Sequence, residues 1–459
     1  METIAQVTTA LRDHFGAAAD RAGWQTGFSR RRSPLSGAGF TRALVFGYLR
    51  TPHPTWPLLA ATAAQTGVAV SPQALQQRCT ASAARLLRRV LEEALHALVT
   101  AEPTATSVLV RFPAVVLQDS TTLALPDALA GAWAGCGGRT AQGTQAAIKL
   151  QAQLEARAGR LQVELQPGRT SDHTGELIAT AGVPETLHVT DLGYFSLARL
   201  RAWSAAGTYW VTYLKGGTQV RDAAGQDVTA PAFLRQARHA PLDLAVQGGA
   251  TDPLAARLVV VPAPPEIAQA RRRKLRADAR REGRTPNATR LAWADWTLVL
   301  TNVPAERLSP AELLVVLRVR WQLELLFKLW KADRRFAQWH SAQPTRQLCE
   351  LYAKLLGLLV QHWLLLAGCW QRDDRSLARA APILASQIGV LLLGLRGALP
   401  LAEAVQQTVV GLTSARVAKR RRYPATHQLL HDPSLPLPYR ERPRPRRGRK
   451  PLTPRRVAA

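Results

Sequence analysis

The sequence predicts a mixed α/β protein, with a sheet-based core that is interrupted by an insertion and flanked by helical regions on both sides. Three observations carry this expectation. Residues 1 to about 105 show helical periodicity, the chain turns to short β-rich runs from Val115, and long apolar helical patterns begin after Ser309-Pro310. At 459 residues the chain exceeds one ordinary domain, so two or three folding units with a large apolar core are expected.

Taken in order, the region 1–105 contains SPQALQQRCTASAARLLRRVLEEALHAL, where Ser71-Pro72 starts a helix and a second amphipathic stretch follows Ser82. An ordinary helical bundle and a helical module that binds DNA ends both fit it. The region 106–215 changes texture. The runs VVLQDSTTLAL, AAIKLQAQLEA and RLQVELQPG read as strands, with Gly159-Arg160 turning the chain between the last two. A helix from about Thr174 to Ala181 leads to the strand LHVTDLGYF, and the helix SLARLRAWSAAG leads to TYWVTYLK. Three antiparallel strands followed by alternating helices and strands describe a ribonuclease H-like α/β core.

The region 216–290 breaks into polar and Pro-containing pieces, among them LVVVPAP and ARRRKLRADARREGR, which is the profile of an insertion. The core resumes over 291–345 with the strand DWTLVLTNVP and the helix SPAELLVVLRVRWQLELLFKLWKAD, and a helical region follows over 346–415. The segment 416–459 is rich in Arg and Pro with almost no acids and is expected to be disordered when free.

Composition narrows the partners. A formal charge of +28 attracts polyanions and repels a second copy unless a polyanion lies between them, so nucleic acid leads. Only eight of the sixty basic residues are lysine. Codon bias in a G+C-rich genome accounts for arginine over lysine, but the excess over acids still calls for an anionic partner. The four cysteines are far apart with no CxxC pair, which fits thiols in a reducing cytoplasm. The start METIAQVTTALRDHFG lacks a basic segment followed by an apolar run, so no secretory signal is expected. Leu355 to Trp370 is interrupted by Gln361 and His362 and reads as a buried helix, so no membrane role is expected.

Three acidic residues stand out. Asp119 follows the apolar run VVLQ, and Asp191 follows LHVT with Gly193 beyond it, so each is expected at or near the end of a core strand. A carboxylate there is costly unless solvated or bound to a cation, and two on neighbouring strands would make a hard-oxygen site suited to magnesium or manganese. Alone, each could equally be a turn or cap residue. On the helix after Ser309, at about 100° per residue, Arg320 to Glu324 turns by roughly 40° and Arg320 to Lys331 by roughly 20°, so all three share a face. Such a stripe is either a solvated face with salt bridges or a set in which Glu binds metal and the bases bind phosphate.

The spacing of Arg320, Glu324 and Lys331 resembles the Tyr-x2-Arg-x3-Glu-x6-Lys signature of the insertion sequence four family of DDE transposases. LQDSTTLAL around Asp119 and TDLGYF around Asp191 are similar to the first and second acidic motifs of that family. The chain departs at the signature tyrosine, where it has Leu317. The resemblance covers about Val115 to Lys331. It implies a ribonuclease H-like core with a β-rich insertion between the second Asp and the Glu, and metal-dependent cut-and-paste transposition. It also implies that Asp119, Asp191 and Glu324 are catalytic and hold two Mg2+ or Mn2+ ions, that Arg320 and Lys331 contact DNA, and that terminal inverted repeats and target DNA are the substrates. A homodimer at the bacterial nucleoid is implied as well. Trp296 and Trp293 are candidates for stacking an extruded base, and packing on the sheet is the competing role for each. Arg271 to Arg284 and the basic tail, Lys419 to Arg422 and Arg440 to Arg456, could grip phosphates or be solvated. His173 and His188 lack partners at ligand spacing and are expected to be structural. The alternatives are a non-transposing nuclease and a catalytically silent DNA-binding relative.

Overall fold

The computed structural model describes residues 2–137, 145–179, 182–238, 240–332, 335–417 and 424–435. Six helices open the chain: α1 (Glu2–His14), α2 (Ala17–Gln25), α3 (Gly37–Arg50), α4 (Trp56–Gln65), α5 (Pro72–Gln77) and α6 (Ala81–Leu95). Their starts follow from capping chemistry, since Ser36, Thr55, Ser71 and Thr80 each accept a hydrogen bond from a first-turn backbone N–H. Strands β1 (Val115–Leu125), β2 (Ala146–Glu155) and β3 (Leu161–Pro167) come next. They lead to α7 (Glu176–Ala179), β4 (Leu187–Thr190), α8 (Leu197–Ala205) and β5 (Tyr209–Tyr213). The helix expected from Thr174 to Ala181 is thus shorter where described, and residues 180–181 lie outside the described residues.

The remaining elements are β6 (Val220–Arg221), α9 (Pro231–Leu234), β7 (Leu242–Gly248), β8 (Leu254–Pro262), α10 (Pro265–Arg281), α11 (Ala288–Trp293) and β9 (Trp296–Thr301). After them come α12 (Pro310–Val319), α13 (Trp321–Trp330), α14 (Pro344–Cys369), α15 (Leu377–Ser386), α16 (Ile388–Arg396), α17 (Leu401–Gly411) and α18 (Thr426–His431). The nine strands among the described residues form one sheet, in the order β3-β2-β1-β4-β5-β9-β8-β7-β6. β1, β2 and β3 are antiparallel neighbours, whereas β1, β4 and β5 run parallel. Parallel neighbours need a crossover, which α8 supplies between β4 and β5. Gly159 turns β2 into β3 at φ +70°, and a Cβ there would lie 2.2 Å from Leu366 of α14, so only glycine fits both the backbone and the neighbour.

The stretch read as a broken, polar insertion is more regular than its composition suggests. β9 pairs antiparallel with both β5 and β8, so β6, β7 and β8 extend the core sheet instead of forming a separate one. A second apolar cluster, including Trp203, Trp210, Leu258, Trp296 and Leu300, fills the space beneath these strands.

The larger core joins both helical regions to the sheet. Helix α14 lies at its centre, against α1, α3, α6 and α17. It is the one described helix long and apolar enough to cross a membrane, and it is buried inside the protein. Lys354 of this helix has no exposed surface, donates to Gln338 O at 3.1 Å and forms an ion pair with Glu350 Oε1 at 2.6 Å, while His340 Nδ1 lies 3.3 Å from the same oxygen. A buried lysine tolerates this only with such partners and with aromatic faces such as Trp339, 4.6 Å away.

The tail expected to be disordered from 416 on requires correction over 424–435. Leu429 and Leu430 of α18 are buried, α18 packs on α12, and Gln322 of α13 donates to Thr426 Oγ1 at 3.1 Å. The apolar pair Leu429-Leu430 outweighs the basic composition around it, because burying two leucines is worth roughly 3–6 kcal/mol. The basic clusters Lys419 to Arg422 and Arg440 to Arg456 lie outside the described residues.

Candidate active site

Two of the candidate acids are brought together by strand register. β1 and β4 pair in parallel from Val115↔Leu187 to Gln118↔Thr190. The next residue on each strand is Asp119 and Asp191. β4 stops there and the chain turns through Leu192–Tyr194, while β1 continues to Leu125 in its hairpin with β2. Asp119 is therefore not at the end of its strand, as its sequence setting suggests, but at the end of the parallel ladder. The crevice at the carboxyl ends of parallel strands is where α/β sheets place their ligands.

Glu324 arrives from a different direction. Ser309 caps α12 with a full capping box, its hydroxyl accepting from Glu312 N and the Glu312 carboxylate accepting from Ser309 N. The helix expected to run unbroken to Lys331 divides at Arg320, which ends α12 and begins α13. α12 packs on β4 and β5, and α13 on β1, so the joint lies over the point where Asp119 and Asp191 emerge. Glu324 occupies the first turn of α13, where the helix dipole favours a carboxylate.

The three acids meet around one guanidinium. Arg320 Nη1 donates to Asp119 Oδ2 at 2.5 Å and Nη2 to Glu324 Oε1 at 3.1 Å, and Nη2 lies 3.9 Å from Asp191 Oδ1. The side chains of Arg320 and Asp119 are 14% and 15% exposed, Glu324 26% and Asp191 42%, so the cluster opens to solvent on the Asp191 side. Burial raises the Asp119 carboxyl from 3.8 to about 6; Arg320 and the Ser120 N–H oppose the rise, and Asp191 and Glu324 add to it. Burial also works against the charge on Arg320, but the three carboxylates outweigh it and hold the guanidinium ionised. Among the described residues no three of His, Cys, Asp and Glu are arranged to hold an ion as they stand. The space among these carboxylates is occupied by the guanidinium.

The other candidates fall elsewhere. Lys331 follows the last residue of α13 and is exposed over much of its surface, and partial desolvation of its ammonium lowers its pKa; no ion pair joins it to the three acids among the described residues. Trp296 opens β9 within the smaller apolar cluster at 7% exposure, so stacking on a base would require it to leave that core. Trp293 donates from Nε1 to Thr229 O at 2.9 Å. Leu317, which stands where the resemblance led us to expect a tyrosine, is buried in the larger core. His188 stacks on Trp203, and burial lowers its pKa to about 4, so it is neutral. The pKa of His173 is lowered first by burial and then by Arg199 and Lys215.

Sequence reasoning missed the place of Tyr213 and Lys149 at the border of the site, whereas Tyr194 lay in the run TDLGYF, similar to the second acidic motif. Tyr213 ends β5; burial raises its hydroxyl pKa, and the charges of Arg320, Arg271, Asp191 and Glu324 all reach it. Lys149 of β2 is buried and donates to Asp172 Oδ1 at 2.7 Å, and Ser120 Oγ donates to the same oxygen at 3.0 Å. Tyr194 is buried beneath the acids and donates to Gln151 Oε1. A lysine and glutamines inside the run AAIKLQAQLEA were the available signal, since polar residues on a buried strand must find partners.

A cationic surface lies nearby on α10. Arg271 ties the helix to β9 by donating to Trp296 O at 2.7 Å and to Thr297 Oγ1 at 3.1 Å, and Arg272 pairs with Asp295. Only Ala268 of this helix is buried, while Arg273, Lys274, Arg276, Arg280 and Arg281 are exposed.

Comparison with known proteins identifies the family. A family model described as a transposase DDE domain matches residues 111–360, which include all three acids and Arg320. The chain is 23% identical to the transposase for insertion sequence element IS231B of Bacillus thuringiensis subsp. berliner, over 73% of this chain and 74% of that protein. It is 24% identical to the transposase for element IS231D of Bacillus thuringiensis subsp. finitimus, over 74% and 75%. A shorter match, 33% identical, covers 23% of the chain and 28% of the putative transposase InsL for element IS186A of Escherichia coli (strain K12).

Proposed function

The chain belongs to the transposase DDE domain family, and from that premise we propose that Asp119, Asp191 and Glu324 are the three acids with which it carries out transposition. It is a transposase, an enzyme of DNA cleavage and strand transfer for an insertion sequence, and DNA is its substrate. The observation that carries the assignment is the convergence of these carboxylates on one guanidinium, from two neighbouring strands and a helix more than a hundred residues away in sequence.

Enzymes of this family use divalent ions, and the donor set fits such ions. Three carboxylates supply hard oxygen ligands, and with one guanidinium among them two negative charges remain uncompensated in a site only partly open to water. Asp119, Asp191 and Glu324 would hold two Mg2+ or Mn2+ ions, which when bound supply Lewis-acid activation of the attacking oxygen and stabilisation of the leaving oxygen. The protein's own residues do the rest. Ser120 N and Arg320 orient Asp119, and the dipole of α13 supports Glu324. The open Asp191 side admits the phosphodiester. Arg320 and Lys331 would bind phosphates, with exposed α10 adding sequence-independent affinity. Trp296 is retained as the candidate for a stacked base only with a movement of β9 out of its apolar cluster.

The strand order β3-β2-β1-β4-β5, antiparallel and then parallel, supports a ribonuclease H-like core, with 216–290 as its insertion and the helical regions 1–105 and 346–415 as DNA-end-binding and dimerisation surfaces. A cut-and-paste pathway in a DNA-bridged homodimer at the nucleoid accords with the charge of +28, since DNA between protomers offsets their repulsion.

The test is to incubate purified protein with DNA carrying the ends of its element, with and without Mg2+, alongside Asp191→Ala. Metal-dependent cleavage and strand-transfer products from the wild type alone are expected. Equal activity in both removes Asp191 from the site, and cleavage without strand-transfer products identifies a nuclease.

A further inference from the structure

We propose that Arg320 is a built-in counter-cation, which holds the three acids together before a dication binds and moves to a DNA phosphate when one does, so that metal and DNA reinforce each other's binding through this side chain. The inference rests on the assignment of the three acids made above.

The geometry gives the guanidinium the position of a cation. Its planar fork reaches Asp119 at 2.5 Å, Glu324 at 3.1 Å and Asp191 at 3.9 Å, so one side chain bridges carboxylates from three elements. Without it these acids would repel one another in a site where Asp119 is 15% exposed. With it the neutralisation is incomplete, since one positive charge faces three negative ones.

The guanidinium and a dication cannot share these oxygens. Magnesium binds carboxylate oxygen at about 2.0–2.1 Å, closer than any hydrogen bond, and a cation at that range repels a guanidinium in contact with the same oxygens. Once the carboxylates are neutralised, little else keeps the head group in place. Arg320 Nε is buried with no hydrogen-bond partner among the described residues, and the hydrogen bonds described for its two Nη atoms go to Asp119 and Glu324. A charged guanidinium turned out of this cluster needs another anion, and the flat, two-pronged donor matches a phosphodiester. Nη2 lies 3.9 Å from Asp191, the most exposed of the three acids at 42%, so the guanidinium borders the open side of the site. By linkage, whatever metal does for DNA affinity, DNA does equally for metal affinity.

The experiment measures binding, not turnover. Mn2+ is titrated into the DNA-free protein and followed by electron paramagnetic resonance, for the wild type, Arg320→Gln, Arg320→Lys and Asp191→Asn. Arg320→Gln is expected to bind Mn2+ on the order of tenfold more tightly than the wild type, because its competitor is gone. DNA affinity is then measured by fluorescence anisotropy on a duplex carrying the end of the element, in Ca2+ and in EDTA. The wild type is expected to gain on the order of tenfold from Ca2+, and Arg320→Gln no more than about twofold. Mn2+ binding by Arg320→Gln no tighter than by the wild type, or an undiminished Ca2+ effect on its DNA affinity, overturns the proposal. If Arg320→Gln does not fold, Arg320→Lys decides the matter: a lysine keeps the charge but carries it on one nitrogen, without the two separate Nη atoms that reach Asp119 and Glu324, so it competes less well; tighter Mn2+ binding than the wild type supports the proposal, and equal or weaker binding overturns it. Asp191→Asn reports separately on the acids, since unaltered Mn2+ affinity in that variant refutes their assignment whatever Arg320 does.

Discussion

Replacing Asp119 by Asn is expected to stabilise the metal-free protein at neutral pH while abolishing its chemistry, and the pH dependence of that gain tests the electrostatics of the site. The carboxyl is lifted from 3.8 to about 6 mainly by burial. Below pH 3.8 it is neutral in both the folded and the unfolded chain and costs nothing. Between that value and about 6 the unfolded chain has ionised while the folded chain still holds the proton, so stability falls as pH rises; above about 6 the full cost is present. At roughly 1.4 kcal/mol for each tenfold change in proton affinity, the cost approaches 3 kcal/mol, an upper figure because some solvent reaches the side chain. Asn cannot ionise and escapes this cost. A chain of this length unfolds with an entropy of roughly 1 kcal/mol per kelvin, so the melting midpoint of Asp119→Asn should exceed that of the wild type by about 3 °C at pH 8 and match it near pH 4. Calorimetry in EDTA across that range measures the difference. A gain that does not vary with pH, or a variant less stable than the wild type at pH 8, refutes the reasoning.

Other outcomes follow from the same geometry. Glu324→Gln preserves the helix and the contact with Arg320 but removes a charge, so single-turnover cleavage is expected to fall on the order of a thousandfold while gel-shift affinity for DNA changes little. Metal affinity of the wild type is expected to drop as pH falls through about 6, because binding must then expel the proton from Asp119; Mn2+ titrations at pH 5 and pH 7.5 measure this. Changing Arg273, Lys274, Arg276, Arg280 and Arg281 together to Gln should reduce the slope of log affinity against log salt by about 0.9 for each phosphate that the helix no longer neutralises, read from DNA binding at several salt concentrations. Lys354→Ala leaves the buried Glu350 carboxylate without its lysine, with only His340 beside it, and is expected to cost about 3–5 kcal/mol in chemical denaturation, whereas the double change to Met at Lys354 and Leu at Glu350 should recover most of it.

The local elements were legible because their signals are local. Alternating or apolar runs marked β1, β4 and β9, Ser71 and Ser309 followed by proline marked helix starts, and Gly159 marked the hairpin turn. The strands β7 and β8 were not, because Pro and polar residues masked a pattern that only pairing with β9 makes regular. Helix α18 was obscured in the same way by its basic neighbours.

By itself the sequence determined which side chains were able to do chemistry: acids placed after apolar runs, and an Arg and a Glu one helical turn apart. Only the tertiary structure decided that they meet. The parallel register of β1 with β4 puts Asp119 beside Asp191, and the break at Arg320 turns its guanidinium into the space among three carboxylates. The reason is physical. Periodicity reports the environment of a residue within its own element, while the meeting of side chains two hundred residues apart depends on strand pairing and helix packing, whose energies belong to both partners at once and are written in neither segment alone.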